Sequence, residues 1–231
     1  MTVDFFPFET KAGVTFKDKN LLRQAFTHRS YINEMRDFSV EHNERLEFLG
    51  DAVLELVVTD YLFHKYPKKP EGELTSYRSS LVNSQTLSSI AATLEMGEYL
   101  LLSRGEAKDK GRGRQYILAN TFEAVIGALY LDQGYEAARE FLERHVLPLI
   151  DDIIAKGAFI DAKSRFQEKA QEIASVTPSY KTLREVGPDH SKKFTVGVFL
   201  GSELVAEGEG ESKQEAEQNA ARVGLQEKGW L

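Results

Sequence analysis

Residues 43–51 read NERLEFLGD, and the run that follows, AVLELVV (52–58), is almost wholly apolar. Helical spacing puts Glu44, Glu47 and Asp51 at steps of three and four, on one face. The same face continues through Leu54 and Val58, the residues expected to meet the core. A second apolar segment, ILANTFEAVIGALYLD (117–132), carries Asn120 and Glu123 three apart on one face. A polar pair of that spacing is ordinarily a solvated or capping feature. Two apolar helices that both turn carboxylates toward their packed side call for more, because clustered acids repel one another and are costly to desolvate without a compensating cation. All-oxygen donors suit a hard divalent ion, Mg²⁺ or Mn²⁺, rather than zinc.

Composition narrows the field. The chain has 231 residues, 42% of them hydrophobic, enough for one large domain or two modest ones. It has no Cys, which excludes disulfides and Cys-based zinc sites and fits a reducing compartment. Its first residues, MTVDFFP, lack a basic flank and a long apolar run, so no secretory leader is expected. No stretch approaches the roughly 18 apolar residues of a membrane span. The expectation is a soluble cytoplasmic protein with no membrane partner and no small-molecule cofactor. Its formal net charge of −7 repels nucleic acid on average, so any such role must rest on local patches.

Up to about residue 155 the pattern is helical. Leu21, Leu22, Ala25 and Phe26 make a short amphipathic segment, followed by the region 41–66 and a Pro/Gly-broken loop at 67–72. Helices are predicted over 75–84, 86–96, 118–131 and 135–154, with a polar loop, rich in Gly and Lys/Arg, over 103–115. After residue 155 the character changes. One helix is predicted over 162–173, then strands over 180–186, 194–200 and 203–208. In the middle strand Phe194, Val196, Val198 and Leu200 alternate with Thr195, Gly197 and Phe199. Gly201-Ser202 is a two-residue hairpin turn, and Ser212 with Glu215 forms a capping box for a last helix. The predicted fold class is therefore an all-α domain, residues 1–155, followed by a small α-β-β-β-α two-layer domain, residues 160–231.

These motifs resemble the ribonuclease III family of bacterial endonucleases, which cut double-stranded RNA. NERLEFLGDAVL resembles the family's signature stretch, and AFTHRSY (25–31), EGELTSYRSSLVN (71–83) and ILANTFEAVIGALYLD match its other motifs in order. GPDHSKKF (187–194) and GEGESKQEAEQNAA (208–221) resemble a double-stranded-RNA-binding domain. By position, the resemblance implies metal ligands at Glu47, Asp51, Glu123 and, where the family usually has Asp, Asn120. It implies Asp51 and Glu123 as the indispensable catalytic pair, and Glu44 and Glu71 as accessory acids. The implied reaction is Mg²⁺-dependent hydrolysis of phosphodiesters, with Mn²⁺ as an alternative ion, leaving 5′-phosphate and 3′-hydroxyl ends on ribosomal and other precursor RNAs. The implied assembly is a homodimer with Phe48 inserted into the partner.

For the second domain the resemblance implies RNA contacts at Gln167 and Glu168, at His190 with Lys192, and at Lys213 where the last helix starts. The family commonly has two adjacent basic residues at that start; here the second is Gln214, from which weaker binding is expected. Acids slightly outnumber bases over 161–231, but they crowd into 203–217, away from Lys192 and Lys193. The basic loop KDKGRGRQ (108–115) reads either as a solvated loop or as a guide for the RNA backbone. Other readings remain open at this stage. A metal-independent nuclease would need two of the five histidines (His28, His42, His64, His145, His190) facing one phosphate. A protein-binding α/β module, or a catalytically weak RNA-binding regulator, would keep the same fold.

Overall fold

The computed structural model describes residues 3–35, 40–108, 111–155, 162–188 and 192–230. The chain divides into two compact units, Met1–Phe159 and Ile160–Leu231.

Apart from one isolated parallel bridge between Thr27 and Leu101, the regular structure of the first unit's described residues is helical. Its α-helices are α1 (Phe6–Ala12), α2 (Lys19–Ala25), α3 (Arg29–Glu34), α4 (Glu44–Lys65), α5 (Glu71–Val82), α6 (Ser84–Thr93), α7 (Arg112–Gln133), α8 (Tyr135–His145) and α9 (Leu149–Ala155). Helices α4 and α7, each 22 residues long, pack on each other more extensively than any other pair. Around them close Phe8, Phe16, Leu22, Phe26, Leu81, Leu87 and Phe141, all fully or almost fully buried. Leu54 and Val58 are completely buried, so the face that begins with acids does end in the core.

Several boundaries shift by a few residues from the sequence expectation, such as α6 over Ser84–Thr93 in place of 86–96, and three differ for a visible reason. α5 starts at Glu71, inside the loop expected over 67–72, because Pro70 takes an extended conformation (ψ 157°) and the helix begins directly after it. The basic loop is shorter than expected, since α7 already starts at Arg112. The helix expected over 135–154 is two helices, α8 and α9, separated by a turn that holds Pro148, where a helix interior cannot accept the ring. No helix among the described residues is long and apolar enough to cross a membrane.

The second unit comprises α10 (Ala162–Lys169), strands β1 (Ser179–Val186), β2 (Lys193–Leu200) and β3 (Glu203–Gly210), and α11 (Lys213–Glu227). α10 passes into one π turn at Ala170–Ala174 and stops at Ser175, whose φ is +55°. The three strands form one antiparallel sheet in the order β1-β2-β3. β2 and β3 are joined at Gly201-Ser202, where Gly201 adopts φ +61°. The predicted alternation along β2 is blunter than two clean faces: Val196 and Val198 are buried, but so is Thr195. α10 and α11 cover the sheet through Ala162, Phe166, Ala220, Ala221 and Leu225. The Ser212 hydroxyl caps α11 by accepting the Glu215 N–H at 3.2 Å. The return bond of the expected capping box reaches one residue further back, from the Glu211 N–H to Glu215 at 2.8 Å.

Candidate metal centre and nucleic-acid interface

The acids meet because two glycines let α4 and α7 touch backbone to backbone. A Cβ on Gly50 would lie 1.8 Å from the Glu123 carbonyl oxygen, and one on Gly127 would lie 2.1 Å from the Leu46 carbonyl oxygen. Both distances are far inside contact range, so neither position admits a side chain. Leu46 thus opposes Gly127 while Gly50 opposes Glu123, and the two helices run in opposite senses through the crossing. Glu47 and Asp51 each follow a crossing residue on α4, and Glu123 is itself one on α7.

Burial and mutual repulsion shape this cluster. Glu123, half-buried, has its carboxyl pushed from 4.5 up to about 8, first by desolvation and then by the charges of Asp51 and Glu47. Glu47 is raised by burial, by Glu44 and by Asp51, while a hydrogen bond with the Asn120 side chain pulls it back down. Among the described residues, the charges that act on these two carboxyls are those of other acids: Glu44 and Asp51 on Glu47, Asp51 and Glu47 on Glu123. The structure therefore brings Glu47, Asp51, Asn120 and Glu123 together. Among the described residues no three His, Cys, Asp or Glu side chains form one metal-binding group. The donor set still fits a hard divalent cation, which would supply the positive charge that the site lacks.

The accessory acids divide. Glu44 is exposed, 3.6 Å from Arg29 and 3.8 Å from His42, and adds its charge to Glu47. Glu71 opens α5 and accepts a hydrogen bond from the Thr75 hydroxyl at 2.9 Å; it is not among the groups that act on Glu47 or Glu123. Phe48 is 82% exposed and edges an open pocket of about 600 Å³ that also involves Leu21, Leu49 and Leu131.

The histidines are mostly occupied. His28 caps α3, and its Nδ1 lies 2.8 Å from the Ser30 hydroxyl; burial lowers its pKa. His145 bonds the Ala12 carbonyl at 2.9 Å, and His64 bonds the Asp60 carbonyl at 2.8 Å. His28 and His42 do come close enough to feel one another, a proximity their spacing in the chain did not suggest. His42, however, has Glu44 3.8 Å from its Nδ1 and lines the pocket beside Phe48.

In the second unit Gln167 and Glu168 lie exposed on α10, beside Ser164 and Gln171. Lys192 and Lys213, far apart in sequence, meet at Glu185 near the end of β1. That acid escaped the sequence reading. Its signal was the strand pairing, which sets Glu185 opposite Phe194 and so brings the start of β2 beside it. His190 lies outside the described residues, as do Asp109 and Lys110 of the basic loop. Of the remaining loop cations, Arg114 folds inward and donates to the Gly97 carbonyl at 2.8 Å, which makes it a strut rather than a guide.

Comparison with known proteins agrees with both halves of this description. Residues 18–150 match the model of a "Ribonuclease-III-like" family, and residues 162–228 match a "Double-stranded RNA binding motif". Ribonuclease 3 of Geobacillus kaustophilus is 48% identical over 225 residues, 96% of this chain and 90% of that protein. Ribonuclease 3 of Bacillus cereus is 49% identical over 221 residues, 94% of this chain and 89% of that one. Among solved structures, the nuclease domain of ribonuclease III from Campylobacter jejuni, described for flexibility in a region involved in dimer formation, superposes with a TM-score of 0.57 at 42% identity. That likeness covers 64% of this chain and 97% of that one. With the helical acid cluster, the α-β-β-β-α unit and both family matches in agreement, the chain belongs to the ribonuclease III family and is an endoribonuclease.

Proposed function

We propose that this protein hydrolyses double-stranded RNA in a Mg²⁺-dependent reaction, with residues 1–155 carrying the chemistry and residues 160–231 capturing the duplex. The observation that carries the reading is the cluster of Glu47, Asp51, Asn120 and Glu123 at a glycine crossing, where the described charges acting on Glu47 and Glu123 are all negative. Asp51 and Glu123 would hold the ion, with Glu47 and Asn120 as the further donors. When bound, Mg²⁺ supplies a water of lowered pKa and offsets charge on the phosphorane.

The chain's own groups prepare that event. Glu123, whose carboxyl is pushed up to about 8, holds a proton near neutral pH in the metal-free chain, and it would have to give that proton up to serve as a ligand. The hydrogen bond with Asn120 orients the Glu47 carboxylate, and the neutral amide keeps the total negative charge low enough for a phosphate to approach. Water attack that expels the 3′-oxygen leaves 5′-phosphate and 3′-hydroxyl ends. In the second domain Gln167 and Glu168, His190 with Lys192, and Lys213 follow the A-form backbone by shape rather than sequence.

One site cuts one strand, so cutting both strands of a duplex calls for two sites related by a two-fold axis. The working unit is therefore a homodimer. The exposed flank of α4, with Phe48, Leu56 and Phe63 at steps of eight and seven, supplies the apolar surface for it. The setting is the cytoplasm and the substrates are structured precursor RNAs, ribosomal precursors among them.

The test is cleavage of a long RNA duplex with Mg²⁺, with and without EDTA, for the natural protein and for Glu123→Gln. Cleavage should need the metal, leave ends that accept a 5′-phosphate-dependent ligase, and disappear in the variant while duplex binding persists. Cleavage that survives EDTA or Glu123→Gln would overturn the assignment.

A further inference from the structure

Lys192 and Lys213 come from different elements yet share one carboxylate. Lys213 Nζ stands 2.8 Å from Glu185 Oε1, and Lys192 Nζ stands 3.8 Å from Glu185 Oε2. Lys213 also lies over the Phe194 ring, 5.5 Å from its centroid, so its ammonium is held from two sides. Lys213 is the first residue of α11, where the helix dipole is positive and a cation is unwelcome. Glu185 offsets that, and its own carboxyl is held below the ordinary range, chiefly by its hydrogen bond with Lys213. It is therefore ionised wherever the protein would meet RNA. As a strut the arrangement is weak, because both partners are exposed and such pairs add little to stability. Its effect should show when a third charge arrives.

We propose that Glu185 is a built-in counter-ion of the duplex-binding surface, occupying on Lys213 and Lys192 the place that an RNA phosphate takes. The inference rests on the reading above that these two lysines contact RNA. A phosphate that reaches Lys213 must displace the carboxylate or share the ammonium with it. In either case the protein has already neutralised part of the charge that would otherwise release counter-ions from the RNA. Gln214 sharpens the effect, since the first turn of α11 offers no second cation. The consequence is a lower grip on duplex, which suits a nuclease whose products are themselves duplexes and must leave.

The experiment is a double-mutant cycle on the full chain in EDTA. It measures the affinity for a blunt synthetic RNA duplex of about 20 base pairs, longer than the roughly 16 that one such domain spans. Glu185→Gln should tighten binding by about three- to tenfold at low salt and converge with the natural protein as salt screens the charge. Lys213→Ala should weaken binding. In the double variant the gain from Glu185→Gln should fall to less than half, because the carboxylate acts mainly through Lys213. If Lys213→Ala weakens binding while Glu185→Gln leaves it unchanged or weaker, the counter-ion role is wrong and the RNA surface stands. If Lys213→Ala has no effect, the assignment of that lysine falls, and the counter-ion role with it.

Discussion

Replacing Glu123 by Gln should abolish cleavage and yet stabilise the metal-free protein, and pH separates the two effects. In the unfolded chain this carboxyl loses its proton near 4.5; in the folded chain it does so near 8. Below pH 4.5 both states are protonated and folding carries no penalty. Between the two values the unfolded state has released a proton that the folded state still holds, so stability falls by about 1.4 kcal/mol per pH unit. Above pH 8 both states are ionised and the penalty is constant. Linkage alone sets a ceiling of about 4–5 kcal/mol. Solvent reaching a half-buried carboxyl, and coupling to Glu47, whose own carboxyl is raised, reduce it to about 1–2 kcal/mol. Gln cannot ionise and escapes the penalty. In EDTA at pH 8, the helical domain of Glu123→Gln should therefore melt about 2–8 °C above the natural protein, with the gap closing toward pH 5. Scanning calorimetry at both pH values decides it. A variant that melts lower at pH 8, or a gap that ignores pH, would refute the claim that burial and carboxylate repulsion strain this site.

Three further outcomes can be checked. Asn120→Asp restores a fourth carboxylate and should reach half-maximal cleavage at severalfold lower Mg²⁺, seen by titrating the ion against rate; a natural protein inert at every Mg²⁺ and Mn²⁺ concentration, and revived only by this change, would make it a binding regulator. Phe48→Ala should shift assembly toward monomer in sedimentation at micromolar concentration while the isolated fold stays intact by circular dichroism; unchanged assembly would remove Phe48 from the interface. Gly127→Ala places a Cβ against the Leu46 carbonyl and should cost about 1–3 kcal/mol in denaturant unfolding. Its cleavage should fall more than its duplex binding, because the acids move and the second domain does not.

Much of this was legible from periodicity. Steps of three and four put Glu44, Glu47 and Asp51 on one flank of α4, and alternation along Phe194–Leu200 marked β2, because both patterns are local consequences of backbone geometry. That both long apolar helices turn polar groups toward their packed side was readable, but the particular hydrogen bond between Asn120 and Glu47 depends on the register of the crossing and was not. What stayed hidden depends on contacts between distant segments. α1, Phe6–Ala12, is too short and too aromatic to show a period, and it forms because Phe8 enters a core built by other helices. Arg114 looked like part of a solvated basic loop, since nothing local tells that the Gly97 carbonyl awaits it. Glu185 looked like one more acid on a strand until β1 and β2 came into register.

The crossing of α4 and α7 has a consequence for how this protein can change over time. Most spacings inside a protein are set by side chains, and a lost methylene here can be repaid by a gained one there. At Gly50 and Gly127 nothing remains to trade: the gauge that sets Gly50 against Glu123, and so brings the neighbouring Asp51 close, is the thickness of two peptide backbones. That quantity is the same in every sequence and cannot be retuned by substitution. The surrounding core is thus free to drift in composition, or to be redesigned for heat or solvent, without altering the distance on which the chemistry depends. The same arrangement leaves no graded route to a differently spaced site, since the smallest available step, one added Cβ, already drives the two helices apart.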